Sequence, residues 1–115
     1  MTKLNERINK FQQYGETVWK LNAKKDGNCY CEECGLPLGT WSSDKGMSVS
    51  HILPGSSYPE LYYDTENCNI LCNAHHRMWE SSKRDQMKIY PTNMEKIAKL
   101  KQKLHGRPPK FFKES

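Results

Sequence analysis

The stretch NCNILCNAHHRMWE, Asn67 to Glu80, places two adjacent histidines three and four residues after Cys72. Cys72 and His75 stand at i and i+3, a spacing at which two side chains reach the same metal ion. Neighbouring residues on a helix point about 100° apart, so His76 cannot share that ion with His75. The stretch therefore predicts one histidine that binds a metal and one that faces a different group.

An earlier stretch, CEECG from Cys31 to Gly35, repeats the i, i+3 spacing with two cysteines, and its glycine lets the backbone fold under the sulfurs. Cys29 is spaced less favourably for this turn, and Cys68 is expected to be a buried apolar cysteine. A redox dithiol in CEECG would leave the second cysteine–histidine pair unexplained. The sequence predicts a structural Zn²⁺ bound by Cys31, Cys34, Cys72 and His75.

The composition predicts one small domain that relies on such a metal. The chain has 115 residues, of which 36% are hydrophobic and 27% are charged. A core of this size commonly needs a metal or disulfide for stability. The polar start MTKLNERINKFQQ and the short apolar runs predict no signal peptide or membrane span, hence a cytoplasmic protein whose cysteines bind metal rather than form disulfides.

The net charge of +5 is unevenly distributed. Counted from the sequence, residues 1–28 carry +3, residues 29–76 carry −5 and residues 77–115 carry +7. One interpretation is that helices with solvated charged faces flank a neutral core. The other is that the basic flanks bind a polyanion while the acidic centre binds cations.

Hydrophobic spacing predicts a small α+β domain. Gly15 weakens the first helix and is a candidate break, and Thr92 with Glu95 forms a candidate capping box for the last one. The predicted elements are a helix over 3–25, a strand within 47–54, an irregular loop over 54–66, a helix over 72–84 and a helix closed by Gly106. The predicted organisation is an N-terminal helical segment 1–28, a zinc-bound core 29–90, a C-terminal helix 91–106 and a flexible basic tail 107–115.

Three residues stand in the order His51, Asn67, His76 around the two metal-binding pairs. With the stretches CEECG, VSHILP, YDTENCNILC and CNAHHR, this order resembles the HNH endonucleases, whose zinc-stapled β-β-α-metal core is a hairpin and a helix closed round a catalytic ion. The resemblance covers about residues 17–85 and is strongest to phage recombination endonucleases of the Rap/NinG type.

The resemblance implies a nuclease that hydrolyses DNA phosphodiesters to 5′-phosphate and 3′-hydroxyl ends. His51 would be the general base, Asn67 would bind a catalytic Mg²⁺ or Mn²⁺ or orient His51, and His76 would bind the ion or the phosphate. Many HNH enzymes carry an aspartate ligand immediately before the base histidine, where this chain has Ser50. Asp64 is the candidate replacement ligand.

DNA in duplex, branched or nicked form is the expected partner. The alternative is a zinc-stapled module that binds nucleic acid, or a phage or host protein, without catalysis, and a homodimer through the first helix stays open. Trp41, Tyr62 and Tyr63 are expected to pack in the core or the hairpin, with base stacking as the alternative. The candidate phosphate contacts are Arg77, Lys83, Arg84 and Lys88.

Overall fold

The computed structural model describes residues 3–105, which form a small α+β fold with two short antiparallel sheets. Gly106 and the tail 107–115 lie outside the described residues. Over the described range, no helix combines the length and the apolar character needed to cross a membrane. The helices are α1 (Lys3–Asn22), α2 (Asn73–Trp79) and α3 (Tyr90–His105), the strands are β1 (Cys29–Tyr30), β2 (Pro37–Gly39), β3 (Val49–His51) and β4 (Cys68–Ile70), and 3₁₀ turns span Ser43–Ser48, Pro59–Leu61 and Arg84–Gln86.

Helix α1 runs through Gly15 without a break, in contrast to the candidate break predicted there. A Cβ at this position would lie 2.6 Å from Cη2 of Trp41, so the glycine is used for close packing of the indole against the helix. Val18 and Trp19, one turn further on, are buried in the core between α1 and the β3–β4 sheet. Tertiary packing thus offsets the low helix propensity of glycine.

The β3–β4 sheet positions the residues of the predicted active site. Its register pairs Val49 with Ile70, Ser50 with Asn69 and His51 with Cys68. Side chains alternate between the two faces of a sheet. Val49 and His51 therefore share the face that packs against α1, whereas Ser50 lies on the opposite face.

Helix α2 is shorter than predicted, and its last residue is buried in the core. Trp79 is 1% exposed, and its Nε1 donates a hydrogen bond to the carbonyl of Ile52 at 3.2 Å. Turns and a 3₁₀ segment then lead to α3. The predicted helix over 72–84 is correct only for its first half.

Helix α3 begins before Thr92, so the capping box predicted there is wrong. The carboxylate of Glu33 instead accepts hydrogen bonds from the backbone N–H groups of Lys88 and Ile89, at 2.7 and 3.0 Å, just ahead of the helix. Glu33 lies between the two cysteines of CEECG, 55 residues away from Lys88 along the chain. A contact of this sequence separation is invisible to a local capping pattern.

A buried polar cluster joins the same turn to β4 and α3. Glu32 accepts hydrogen bonds from Nδ2 of Asn69 and from the backbone N–H of Ile70, both at 2.8 Å. Asn69 and Asn93, each at most 1% exposed, exchange hydrogen bonds of 2.7 and 3.1 Å. The turn that carries Cys31 and Cys34 is therefore fastened to two other elements.

Candidate metal centre and active-site cleft

The fold brings the four predicted zinc ligands together. Cys31 and Cys34 come from the turn between β1 and β2, while Cys72 and His75 come from the start of α2. Their ligand atoms all lie within 4.8 Å of one another, with 3.3 Å from Cys72 Sγ to His75 Nδ1 and 3.9 Å between the sulfurs of Cys34 and Cys72. Tetrahedral zinc with bonds of about 2.0–2.3 Å places its ligand atoms roughly 3.5–3.8 Å apart. The cluster can thus hold a metal such as zinc, and its four protein ligands are typical of a closed, structural site.

The electrostatic surroundings of Cys31 favour a thiolate ligand. Burial raises the pKa of a thiol, but backbone hydrogen bonds from Cys72, Cys34 and Glu33, together with His75, lower the pKa of Cys31 to about 7. By contrast, burial raises the pKa of both Cys29 and Cys68 to about 11. These two cysteines remain protonated thiols, as a structural role requires.

His51 is held in one orientation by aromatic packing and one hydrogen bond. Its ring stacks on Tyr62 at a centroid distance of 4.4 Å and on Tyr14 at 5.7 Å. Nε2 lies 2.8 Å from the carbonyl oxygen of Tyr62, which can only accept, so Nε2 carries the proton. In the neutral ring, Nδ1 is therefore the free acceptor.

The surroundings also keep this ring neutral near pH 7. Burial lowers the pKa of His51 below 6.5 by more than the carbonyl of Tyr62 raises it, and the nearby His76 lowers it further. A neutral imidazole with one defined acceptor nitrogen has the properties of a general base.

His76 lies on α2 beside a carboxylate that sequence analysis missed. Its Nδ1 donates a hydrogen bond of 2.6 Å to the carbonyl of Met47, which leaves Nε2 as the acceptor of the neutral ring. Nε2 lies 3.3 Å from Oε2 of Glu80. The i, i+4 spacing of these residues on one helix was the available sequence signal, because such pairs share a helix face.

A cleft of about 330 Å³ joins these elements. It is bordered by His51 from β3, by Glu80 after α2 and by Arg84, whose guanidinium lies 4.6 Å from the ring centroid of Trp79. Of the four candidate phosphate contacts, only Arg84 borders this cleft. The other three, Arg77, Lys83 and Lys88, are exposed on the nearby surface.

The prediction that Asn67 binds the catalytic ion needs correction. Asn67 is 0% exposed, and its Oδ1 accepts a hydrogen bond of 2.8 Å from the N–H of Leu53. Its Nδ2 donates to the carbonyls of Leu53 and Leu61, at 3.0 and 3.2 Å. The amide therefore links the start of β4 to Leu53 and Leu61, in the loop that follows His51. It positions that loop rather than an ion.

Asp64 is likewise engaged elsewhere. Its carboxylate accepts hydrogen bonds from Nζ of Lys103 at 2.6 Å and from the N–H of Glu66 at 2.9 Å. It therefore stabilises a turn and contacts α3, and its role as an ion ligand stays a prediction. Ser50, on the face of the sheet opposite His51, is 0% exposed, and within residues 3–105 its Oγ finds no hydrogen-bond partner.

Comparisons with protein-family models, curated proteins and solved structures give no match to this chain. The functional conclusion consequently depends on the geometry of its own residues.

Proposed function

We propose that this protein is a metal-dependent endonuclease of the HNH type that hydrolyses phosphodiester bonds of DNA. The observation that carries the proposal is the hydrogen bond from Nε2 of His51 to the carbonyl of Tyr62. It leaves Nδ1 as an acceptor on a neutral ring that borders a cleft. The defined acceptor nitrogen beside the cleft is what supports a catalytic role for His51.

In the proposed reaction, Nδ1 of His51 accepts a proton from a water molecule. The resulting hydroxide attacks the phosphorus, and the bond to the 3′ oxygen breaks. The leaving 3′ oxygen takes a proton from solvent water and His51 returns its proton to solvent, so the products carry 5′-phosphate and 3′-hydroxyl ends. General-base catalysis of this kind contributes about 10²- to 10⁴-fold to the rate.

His76 and Glu80 are the residues that would hold the catalytic divalent ion. Nε2 and Oε2 lie 3.3 Å apart, a separation compatible with two adjacent ligands of one ion, and a carboxylate suits Mg²⁺ and Mn²⁺. Such ions commonly take one or two protein ligands and keep several waters. When bound, the ion would neutralise charge on the phosphate and the leaving oxygen.

Arg84 would hold the scissile phosphate. Its stacking on Trp79 reduces the conformational freedom of a long side chain at the edge of the cleft. The exposed cations Arg77, Lys83 and Lys88 would contact phosphates further along the DNA. Binding through such contacts weakens steeply as the salt concentration rises.

The second candidate function is a zinc-stapled module that binds nucleic acid or a phage or host protein without cutting. Ser50 favours it, since a buried hydroxyl stands where many HNH nucleases place a metal-binding carboxylate. The described residues also form no second group of three or more close metal-ligand atoms besides the zinc set.

Nicking of supercoiled plasmid by the zinc-loaded protein, with Mg²⁺ or Mn²⁺ added or withheld, tests the proposal. We expect nicking that requires the added ion and falls about 100-fold or more in His51→Ala. Glu80→Gln should raise the ion concentration needed for half-maximal nicking, while Glu66→Gln, the same exchange at an exposed turn, should not. If the folded protein nicks none of the DNA forms with either ion, the nuclease proposal is wrong and the binding module that does not cut is supported instead.

A further inference from the structure

A second and larger cavity, of about 730 Å³, lies along α1 and the loop before β4. Its wall is mostly apolar and aromatic, unlike that of a site for phosphate alone. We refer to it as the aromatic groove, and its principal residues are Ile8, Phe11, Pro59, Tyr62 and Tyr63.

The aromatic groove begins at the proposed general base. Tyr62 belongs to its wall and also stacks on His51 at 4.4 Å. Gly55 borders both this groove and the cleft of His51, Glu80 and Arg84. The cleft and the groove are therefore adjacent.

Cations stand beside the aromatic rings of this region. Nζ of Lys10 lies 4.7 Å from the ring centroid of Tyr63, and Nζ of Lys101 lies 5.9 Å from that of Tyr58, the residue before Pro59. Aromatic surfaces flanked by lysines match unstacked nucleobases on a phosphate backbone. In a paired duplex the bases stack on each other, so no base face would be available to stack on the aromatic wall of the groove.

We infer that the aromatic groove binds an unpaired nucleobase next to the scissile phosphate, so that the substrate class is DNA with single-stranded nucleotides rather than fully paired duplex. The inference rests on the proposed function for the position of the cut. Binding of unpaired DNA to the groove is a separate property and is measurable without catalysis.

Fluorescence anisotropy of zinc-loaded protein with no Mg²⁺ or Mn²⁺ measures that property, with a labelled 12-nucleotide oligothymidine and a 12-base-pair duplex as ligands. Ile8→Glu places a carboxylate in the groove. Because Ile8 is 49% exposed, the substitution should lower the stability of the fold only slightly. Leu21→Glu is the matched control, because it makes the same charge change on α1 at an exposed residue outside the groove.

We expect the single strand to bind more tightly than the duplex. Ile8→Glu should weaken single-strand binding by about tenfold or more, in the range of losing one stacked base, and Leu21→Glu by less than about twofold. Tyr63→Leu should lower the single-strand affinity, while Tyr30→Leu, at an exposed tyrosine of β1, should not. Equal losses in Ile8→Glu and Leu21→Glu, or tighter binding of the duplex, would overturn the inference.

Cleavage of a 5′-labelled flap substrate separates the two proposals. Cutting beside the unpaired segment supports both. Cutting of duplex and flap at equal rates overturns the substrate class and leaves the nuclease, whereas selective binding of single strands without cutting under any ion condition overturns the nuclease and leaves the groove as a binding site.

Discussion

Replacement of Asn67 by alanine separates the positioning role found for this residue from the metal-ligand role that its place in the sequence indicates. The substitution removes one acceptor and two donor contacts in the core. The carbonyl of Leu61 keeps a hydrogen bond of 3.1 Å from the N–H of Asp64. The N–H and the carbonyl of Leu53 lose the partner that the side chain supplied.

The expected cost follows from these two groups. A buried polar group left without a partner costs about 1–3 kcal/mol, so the free energy of unfolding should fall by about 2–6 kcal/mol. For a domain of this size 1 kcal/mol corresponds to about 4 °C, so the melting temperature should fall by about 8 °C or more. Gln86→Ala removes an amide at an exposed residue and should change the free energy by less than about 0.5 kcal/mol.

The assay is thermal and urea unfolding of zinc-loaded protein, followed by far-UV circular dichroism and tryptophan fluorescence. Isothermal titration with Mn²⁺ on the folded variant, below its transition, gives the ion affinity separately. A melting temperature within 2 °C of the parent together with a lost Mn²⁺ affinity would refute the positioning role and restore Asn67 as a ligand.

Three further results are expected. Chelation of zinc, or Cys72→Ser, should abolish the far-UV circular dichroism signal of the fold, because structural zinc contributes about 10 kcal/mol or more to the free energy of folding. The control is Cys68→Ala, in which mass spectrometry should still find one zinc per chain. Because the folded-state pKa of His51 is lowered from 6.5, the unfolded chain binds more protons just below that pH, so the free energy of unfolding should fall as pH drops below 6.5. His51→Gln should reduce that slope. In the parent, the plasmid-nicking rate should fall only below pH 6.5, and a rate that already falls above pH 7 would contradict the assignment. Gly55→Ala should reduce nicking at least tenfold while zinc stays bound, because its Cβ would overlap the Tyr62 ring that stacks on His51. Undiminished nicking, or an equal loss in the control Ser57→Ala at an exposed residue outside the groove, would contradict this.

Local spacing in the sequence was sufficient to predict the four residues of the candidate metal site. Each pair of ligands lies within four residues, so the turn geometry that brings two of them to one ion is encoded locally. The two pairs come together only in the tertiary structure. Because one tetrahedral ion needs four ligands, however, few other combinations of these residues could complete its coordination. Hydrophobic spacing, which is also a local property, predicted the small α+β class and the bounds of α1, whereas α2 ends earlier than its spacing indicates.

Only the tertiary structure decided what the polar residues between those pairs do. Asn67 and Asp64 are chemically suited to bind an ion, but their side chains are engaged by backbone groups and by Lys103, up to 39 residues away along the chain. The carboxylate that lies beside His76 is that of Glu80, and Glu33 takes the place of Thr92 at the start of α3. A sequence shows which atoms can donate, accept or bind, whereas packing determines which of them are already satisfied in the folded chain, since a buried polar group must find a partner.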